Sequence, residues 1–380
     1  MAVDPGNVVQ NAIYLSGGTP WPVGADAWEV RARDLLEQGP FDYVAGGAGA
    51  EVTMHANLDA FRRHELRPRM LAGTADRHLS VEVLGLGSPV PFFLAPIGVL
   101  SIVHADAERA VAGASKTTGV PLVLSSAAST SLEEVAALDP ARWFQLYWWG
   151  DAELAESLVR RAEAAGYGAI VLTVDTLTLG WRPRDLRNGY LPFLKGEGLG
   201  QFFSDPAFLG RLESPPAENL VTASLMALSA FPNLALTWDD LARLREWTSL
   251  PVLLKGILRG DDATRALEHG VDGIVVSNHG GRQVDGSVAA LDALVEVRGA
   301  VGPEPVVLVD SGVRTGADVV KAIALGANAV LLGRPYVYGL AVGGQEGVEA
   351  VITQLAAEVD LTMALAGARS VAELEPSIVT

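Results

Sequence analysis

The run Ser277-Asn278-His279-Gly280-Gly281-Arg282-Gln283 follows the apolar, β-branched residues Ile274, Val275 and Val276. Histidine titrates nearest neutral pH and is the best general base, while arginine offers paired donors to an anion. The two glycines between them let the backbone turn tightly. Similar apolar runs end in Ser125 and Ser126, Gln145 and Tyr147, Thr173 and Asp175, Lys255, Asp310 and Arg314, and Gly333 and Arg334. A single residue of this kind would be a satisfied core polar group. Polar ends on successive runs are difficult to explain by packing, because every buried polar group must find a partner.

Each residue suggests a role. Asp175 could hold His279 or stabilise its charged form. Lys255, in apolar surroundings, needs an anionic partner or a depressed pKa; a Schiff-base nucleophile, a cation beside a cofactor and a structural ion pair all fit it. In Asp310–Gly316, "DSGVRTG", Gly312 and Gly316 flank Arg314 and a helix follows. "GRP" at 333–335 adds a second glycine and a second arginine. Phosphate sites of barrel proteins use the loops after strands seven and eight plus a helix N-terminus. No metal centre is expected, since cysteine is absent and the histidines at 55, 64, 78, 104, 269 and 279 lack His-x3-His spacing.

The elements that must position these residues are legible as alternating runs. Eight short apolar stretches begin at Phe92, Pro121, Arg142, Ala169, Pro251, Gly273, Pro305 and Ala329. Helical patterns separate most of them: "DAELAESLVRRAEAAG" opens on Asp151 and closes at Gly166, and two others also end in glycine. Continuous apolar strands alternating with helices predict a parallel sheet buried on both faces, and eight units predict a (β/α)8 TIM barrel. An open doubly wound sheet is the alternative, but the first strand lacks the dinucleotide-type glycine fingerprint. The whole chain, 1–380, reads as one domain. Residues 1–22 read as an irregular arm, Ala25–Gln38 as an amphipathic helix, and residues 177–236, after the fourth strand, as a long insertion placed to act as a lid.

Composition narrows the function. The chain has 380 residues, 49% hydrophobic and 19% charged, ample for a large core. Its net charge of −17 argues against nucleic acid or an anionic membrane as a partner. The start shows no signal peptide, and the longest apolar run, Val90–Val103, is shorter than a membrane span. A cytoplasmic protein is expected.

"SNHGGRQVDG", "LKG", "DSGVRTGADVVKAIALGA" and "GRP", in this order, together resemble the FMN-dependent α-hydroxy-acid oxidase family from about Trp28 to Leu374. "YVAGGAGAEVTMHAN", "PRML", "APIGV" and "GWRPRDL" look most like its lactate monooxygenase branch, whereas "RNGY" looks closer to lactate oxidase. The resemblance implies FMN as cofactor and an L-2-hydroxy acid and O2 as substrates. It makes His279 the base acting at substrate C2, with Asp175 stabilising its imidazolium. Tyr43, Arg182, Arg282, Tyr147 and Tyr190 would contact substrate, and Lys255 would lie by flavin N1 and the C2 oxygen. Pro96, Ile97, Gly98, Ser125, Gln145, Thr173 and Ser277 would meet the flavin ring. Asp310, Ser311, Gly312, Arg314, Gly333 and Arg334 would hold the ribityl chain and phosphate. The family also implies a homo-oligomer, tetramer or octamer.

The leading expectation is L-lactate 2-monooxygenase chemistry, giving acetate, CO2 and water. The alternatives are L-lactate oxidase chemistry, giving pyruvate and H2O2, and oxidation of another 2-hydroxy acid such as mandelate or glycolate. Ala127 stands where glycolate-oxidase-like members carry a tryptophan, which counts against glycolate. An inosine-monophosphate-dehydrogenase-like barrel would need a catalytic cysteine, and a flavin-binding protein without turnover would need a lost base or clamp.

Overall fold

The computed structural model describes residues 5–380. Two short strands, β1 (Val81–Val83) and β2 (Leu86–Ser88), form an antiparallel hairpin. Its two-residue turn, Leu84-Gly85, has both residues at positive φ, the geometry that matches the natural strand twist. Eight parallel strands follow: β3 (Phe92–Leu94), β4 (Leu122–Ser125), β5 (Arg142–Tyr147), β6 (Ile170–Thr173), β7 (Val252–Ile257), β8 (Gly273–Val276), β9 (Val306–Val309) and β10 (Ala329–Leu332). They pair in sequence order and close by pairing β10 with β3, so the chain forms the expected barrel. The outer helices bury one stripe each. In Ala152–Ala164, capped by Asp151 accepting from the Leu154 N–H at 3.1 Å, the stripe is Leu154, Ala155, Leu158, Val159 and Ala162.

Strand periodicity sorts the barrel interior. Side chains alternate between the two faces, so residues two apart on a strand point the same way. One inward set is apolar and fully or nearly fully buried: Phe93, Val123, Trp143, Val171, Leu253, Val275, Leu308 and Leu331. Adding two to each number gives Ala95, Ser125, Gln145, Thr173, Lys255, Ser277, Asp310 and Gly333. Apolar filling therefore gives way to polar groups at the carboxyl ends of the strands. Val83 and Leu84 of the hairpin pack against the apolar set, so the hairpin covers the barrel at the end away from the polar groups.

Two expectations need correction. The arm is not irregular: residues 5–15 form a helix, and residues 1–4 lie outside the described part. The Gly6 N–H donates to Asp360 Oδ2 at 3.0 Å, and Asp360, fully buried, also pairs with Arg77 at 2.7 Å, so the arm is tied to the C-terminal helix. The helix expected over 25–38 stops at Leu35, and a second helix, Gln38–Ala45, carries Tyr43. The β1–β2 hairpin was not read from the sequence, because each strand has only three residues and shows no extended alternation. The insertion after β6 is folded into short helices, among them Pro183–Asn188, Gly200–Phe203, Pro206–Leu209 and Leu220–Ser229. Among the described residues no helix is long and apolar enough to cross a membrane.

Candidate active site

The loop after β8 explains its own glycines. His279, Gly280 and Gly281 all have positive φ, at 58°, 66° and 76°. A left-handed histidine is strained and persists only when its surroundings hold it. The His279 N–H donates to Ser277 Oγ at 3.0 Å, the Gly280 N–H to Ser311 Oγ at 2.9 Å, and the Gly281 N–H to Asn278 Oδ1 at 3.1 Å. Asn278 is locked in a reciprocal amide pair with Asn57, at 2.7 and 2.8 Å. A Cβ on Gly281 would lie 2.5 Å from the Met54 nitrogen, and one on Gly280 would lie 2.9 Å from Arg334 Nη1. Gly281 is required for room as well as for conformation, and Gly280 chiefly for conformation.

This loop presents His279 to Asp175 at the end of β6. His279 Nδ1 is 2.9 Å from Asp175 Oδ1 and 3.1 Å from the Thr176 hydroxyl, which itself donates to Asp175 Oδ1 at 2.7 Å. Thr176 has one proton and gives it to the carboxylate, so towards the ring it offers a lone pair. The proton on the imidazole therefore sits on Nδ1, and Nε2 keeps the lone pair that a base needs. Burial lowers the pKa of His279, while Asp175 opposes that shift. Burial would raise Asp175, but His279 and Lys255 outweigh it and bring its carboxyl down to about 2. Thr176 was not singled out from the sequence; its signal was the polar residue beside an already chosen Asp175.

Two arginines meet at the same cavity, and among the described residues neither pairs with a carboxylate. Arg182, 8% exposed, donates to the Arg282 carbonyl at 3.2 Å and to Gln283 Oε1 at 3.0 Å. Arg282 donates to the carbonyls of Tyr43 and Gly46 and lies 5.0 Å from the Tyr43 ring centre. Burial, with Arg182 adding to it, pulls Arg282 down to about 9, so an entering anion would relieve two under-compensated charges. Gln283 saturates its amide by donating to the carbonyls of Asp175 and Thr178 at 2.9 Å each, which joins the start of the insertion to the His279 loop. It too was missed, although it ends the motif that was read. Tyr147 lines the cavity beside His279, its ring centre 6.5 Å from the imidazole, and burial pushes its hydroxyl pKa up. Tyr190 was expected at the substrate, but it is not among the cavity-lining residues. It packs edge-on against Tyr43 at 6.2 Å, because Gly39 and Lys195 enclose its ring.

The other half of the cavity is built from the remaining strand ends. Lys255 Nζ lies 3.2 Å from Asp310 Oδ2 and donates to Ser277 Oγ at 2.9 Å. Burial works against its charge, but Asp310 and Asp175 outweigh it and hold its pKa above the usual value. Ser125, Gln145 and Thr173 do not line the cavity. Their side chains bond one another across three strand ends, at 3.0 and 2.9 Å, because each is buried and needs a partner. Pro96, Ile97 and Gly98 line it from the loop after β3, and Ser311, Gly312, Arg314 and Gly333 from the loops after β9 and β10.

Two parts of the expected phosphate site are arranged differently. The helix Gly316–Ala324 does not offer a free N-terminus. A Thr315–Asp318 capping box engages it, and Glu358 accepts the Gly316 N–H at 2.8 Å. Arg334 lines the cavity but gives three bonds to the carbonyls of Val44, Gly280 and Gly46, at 2.9–3.0 Å, so it braces the loops that carry Tyr43 and His279. The helix Arg334–Ala366 opens at Gly333 without a side-chain cap. With Gly312 at φ 100° and Arg314 nearby, a phosphate fits that corner through backbone N–H groups and an arginine.

The whole cavity is about 1150 Å³ including its open mouth. A barrel whose mouth holds a phosphate corner, a buried lysine, a histidine–aspartate base and a doubled arginine clamp belongs to the cofactor-dependent enzymes acting on small organic anions. Residues 32–380 match the FMN-dependent dehydrogenase family. The chain is 46% identical to FMN-dependent alpha-hydroxy acid dehydrogenase qulF of Penicillium citrinum, over 91% of this chain and 87% of that protein. It is 41% identical to an L-lactate oxidase of Lysinibacillus sphaericus, over 94% and 92%. The solved structure of mandelate oxidase with (S)-4-hydroxymandelic acid superposes with a TM-score of 0.84 at 41% identity, covering 94% of this chain and 98% of that one. This chain belongs to the FMN-dependent dehydrogenase family; it is a flavoprotein oxidoreductase that uses FMN to oxidise an α-hydroxy acid.

Proposed function

We propose that the chain oxidises an L-2-hydroxy acid, with L-lactate the leading substrate and O2 the acceptor, and that it holds the keto acid until decarboxylation yields acetate, CO2 and water. The observation that carries the reading is the pair of arginines, Arg182 buried and Arg282 partly so, that have no carboxylate partner among the described residues and face the same cavity as a histidine already paired with Asp175. A carboxylate on Arg182, Arg282 and Tyr43 places its C2 beside His279. His279 then accepts one proton of the substrate H–C2–O–H unit, Asp175 stabilises the imidazolium, and Tyr147 holds the hydroxyl or carboxylate. Bound FMN supplies the two-electron acceptor that passes electrons on to oxygen. Lys255, which lines the cavity, would supply positive charge to a bound flavin. The backbone of Pro96–Gly98, which lines the cavity, would pack against the ring, and Ser125, Gln145, Thr173 and Ser277, whose side chains bond one another or Lys255 at the strand ends, would have to turn towards it, while Asp310, Ser311, Gly312, Arg314, Gly333 and Arg334 would hold the ribityl phosphate.

Retention of the keto acid is supported by the insertion's share of the cavity wall: Phe193 and Phe231 of residues 177–236 line the cavity, as does Ala127. Anaerobic L-lactate should bleach the bound flavin, and catalase-free turnover should give acetate rather than pyruvate plus peroxide. Stoichiometric peroxide removes the monooxygenase outcome; no bleaching by any 2-hydroxy acid removes the site assignment. We further propose a cytoplasmic homo-oligomer, tetramer or octamer. Light scattering of the holoenzyme tests assembly.

A further inference from the structure

Three loops build the apolar wall of the cavity: Val99 and Leu100 come from the loop after β3, Ala127 from the loop after β4, and Phe193 from the insertion. A directed chain of hydrogen bonds joins them. The Gly198 N–H donates to Ser129 Oγ at 2.9 Å, the Ser129 and Ser101 hydroxyls lie 2.6 Å apart, and the Ser101 hydroxyl donates to Glu197 Oε2. Ser101 gives its only proton to Glu197, so Ser129 is the donor to Ser101. The chain leaves the insertion at the Gly198 backbone, crosses two barrel-loop serines and returns on the Glu197 side chain.

The insertion differs on the two sides of this point. Beyond it, the Gly200 N–H donates to the Ala128 carbonyl at 2.9 Å. The fully buried Gln201 donates to the Thr130 carbonyl at 2.8 Å and accepts from the Leu132 N–H at 2.9 Å. A Cβ on Gly198 would lie 2.8 Å from the Ala127 carbonyl oxygen, and one on Gly200 would lie 2.4 Å from that of Ser129. Glu108, 1% exposed, holds the same loop from within by accepting the N–H groups of Ser129 and Thr130 at 3.1 and 3.0 Å. Before this point, the short turn Pro192–Lys195, which carries Phe193, lies between two left-handed glycines, Gly189 at φ 56° and Gly196 at φ 80°. A Cβ on Gly189 would meet nothing within 4 Å. Glu197 is thus the side-chain tie at the boundary between a fixed segment and a glycine-bracketed flap.

We propose that Glu197, through Ser101 and Ser129, is a positioning residue that keeps the Phe193 flap against the cavity and so sets how long the keto acid stays. The inference rests on the monooxygenase reading for its catalytic consequence, and on the hydrogen-bond chain alone for its structural one. The test uses holoenzyme of wild type, Glu197→Ala, Glu197→Gln and Ser101→Ala, each checked for bound FMN. Loss of a charge-assisted bond should speed amide exchange over residues 190–198 about tenfold in Glu197→Ala. In the same variant, catalase-free turnover of L-lactate should shift towards pyruvate plus peroxide. Ser101→Ala should behave alike, while Glu197→Gln, which keeps an acceptor, should stay near wild type. Unchanged exchange in both alanine variants overturns the latch, and so does faster exchange with an unchanged product ratio in an enzyme that makes acetate. If wild type makes only peroxide, the monooxygenase reading fails by itself, and the exchange rates still decide whether Glu197 holds the flap.

Discussion

The barrel interior contains two layers contributed by the same eight strands, only two residues apart, and they are built on opposite terms. The apolar layer is filled by Phe93, Val123, Trp143 and their equivalents, with Trp143 and Phe93 packed edge-to-face at 5.2 Å. The polar layer contains Lys255, Asp310, Ser277 and the Ser125–Gln145–Thr173 chain, each satisfied by a neighbour from another strand. One layer is held by contact area, which tolerates any well-shaped apolar group. The other depends on partner identity, since one unmatched group there is costly. The lower layer should therefore govern stability and the upper one, with its loops, chemistry.

The largest expected effect comes from the loop nearest the upper layer. His279→Gln should lower the rate of flavin reduction by 2-hydroxy acid about 10²–10⁴-fold, as removal of a general base does. FMN should stay bound, because no cofactor-corner residue changes. Rapid-mixing reduction at saturating substrate measures this, and reduction at near wild-type rate would break the assignment of His279 as base.

The lower layer should give the converse result. Trp143→Ala removes a fully buried ring and should cost about 3–5 kcal/mol of stability. Molecules that remain folded with FMN should reduce their flavin within a few-fold of wild type. Thermal melting together with reduction per bound flavin tests both halves. A large loss of rate with little change in melting would mean that the two layers are not separable.

This division also explains what was legible in the sequence. The eight strands were readable because apolar runs with polar ends recur, and both layers are printed on each strand. His279, Asp175, Lys255 and Arg282 stood out because their side chains are costly to bury alone, whereas Arg182 came only from the family resemblance of "GWRPRDL". The packing of Tyr190 against Gly39 and Tyr43 was not legible, because a tyrosine in an insertion carries no register. Arg334, read as a phosphate ligand from its neighbouring glycines, also braces the carbonyls of residues 44, 46 and 280, a role hidden in the sequence because those residues are far away in it. Thr176 and Gln283 act through other residues, and a threonine or glutamine in a polar loop has no local signature of that work.

The smallest expected effect tests whether such a supporting residue shares the upper layer's dependence on partners. The base works as neutral imidazole, so flavin reduction should rise with pH through the pKa of His279. Burial places that pKa below its ordinary 6.5, and the rate should be flat above neutrality with its acid limb below that value. Thr176 accepts from Nδ1–H and so favours the imidazolium; Thr176→Val removes that acceptor while keeping the side chain's shape. The acid limb should move to lower pH by up to about one unit, with a rate loss of roughly two- to tenfold, the range of one hydrogen bond. Thr176→Ser should restore both. A valine variant with a lower rate but an unmoved limb would make Thr176 a packing residue, and the upper layer's reliance on exact partners would end at Asp175.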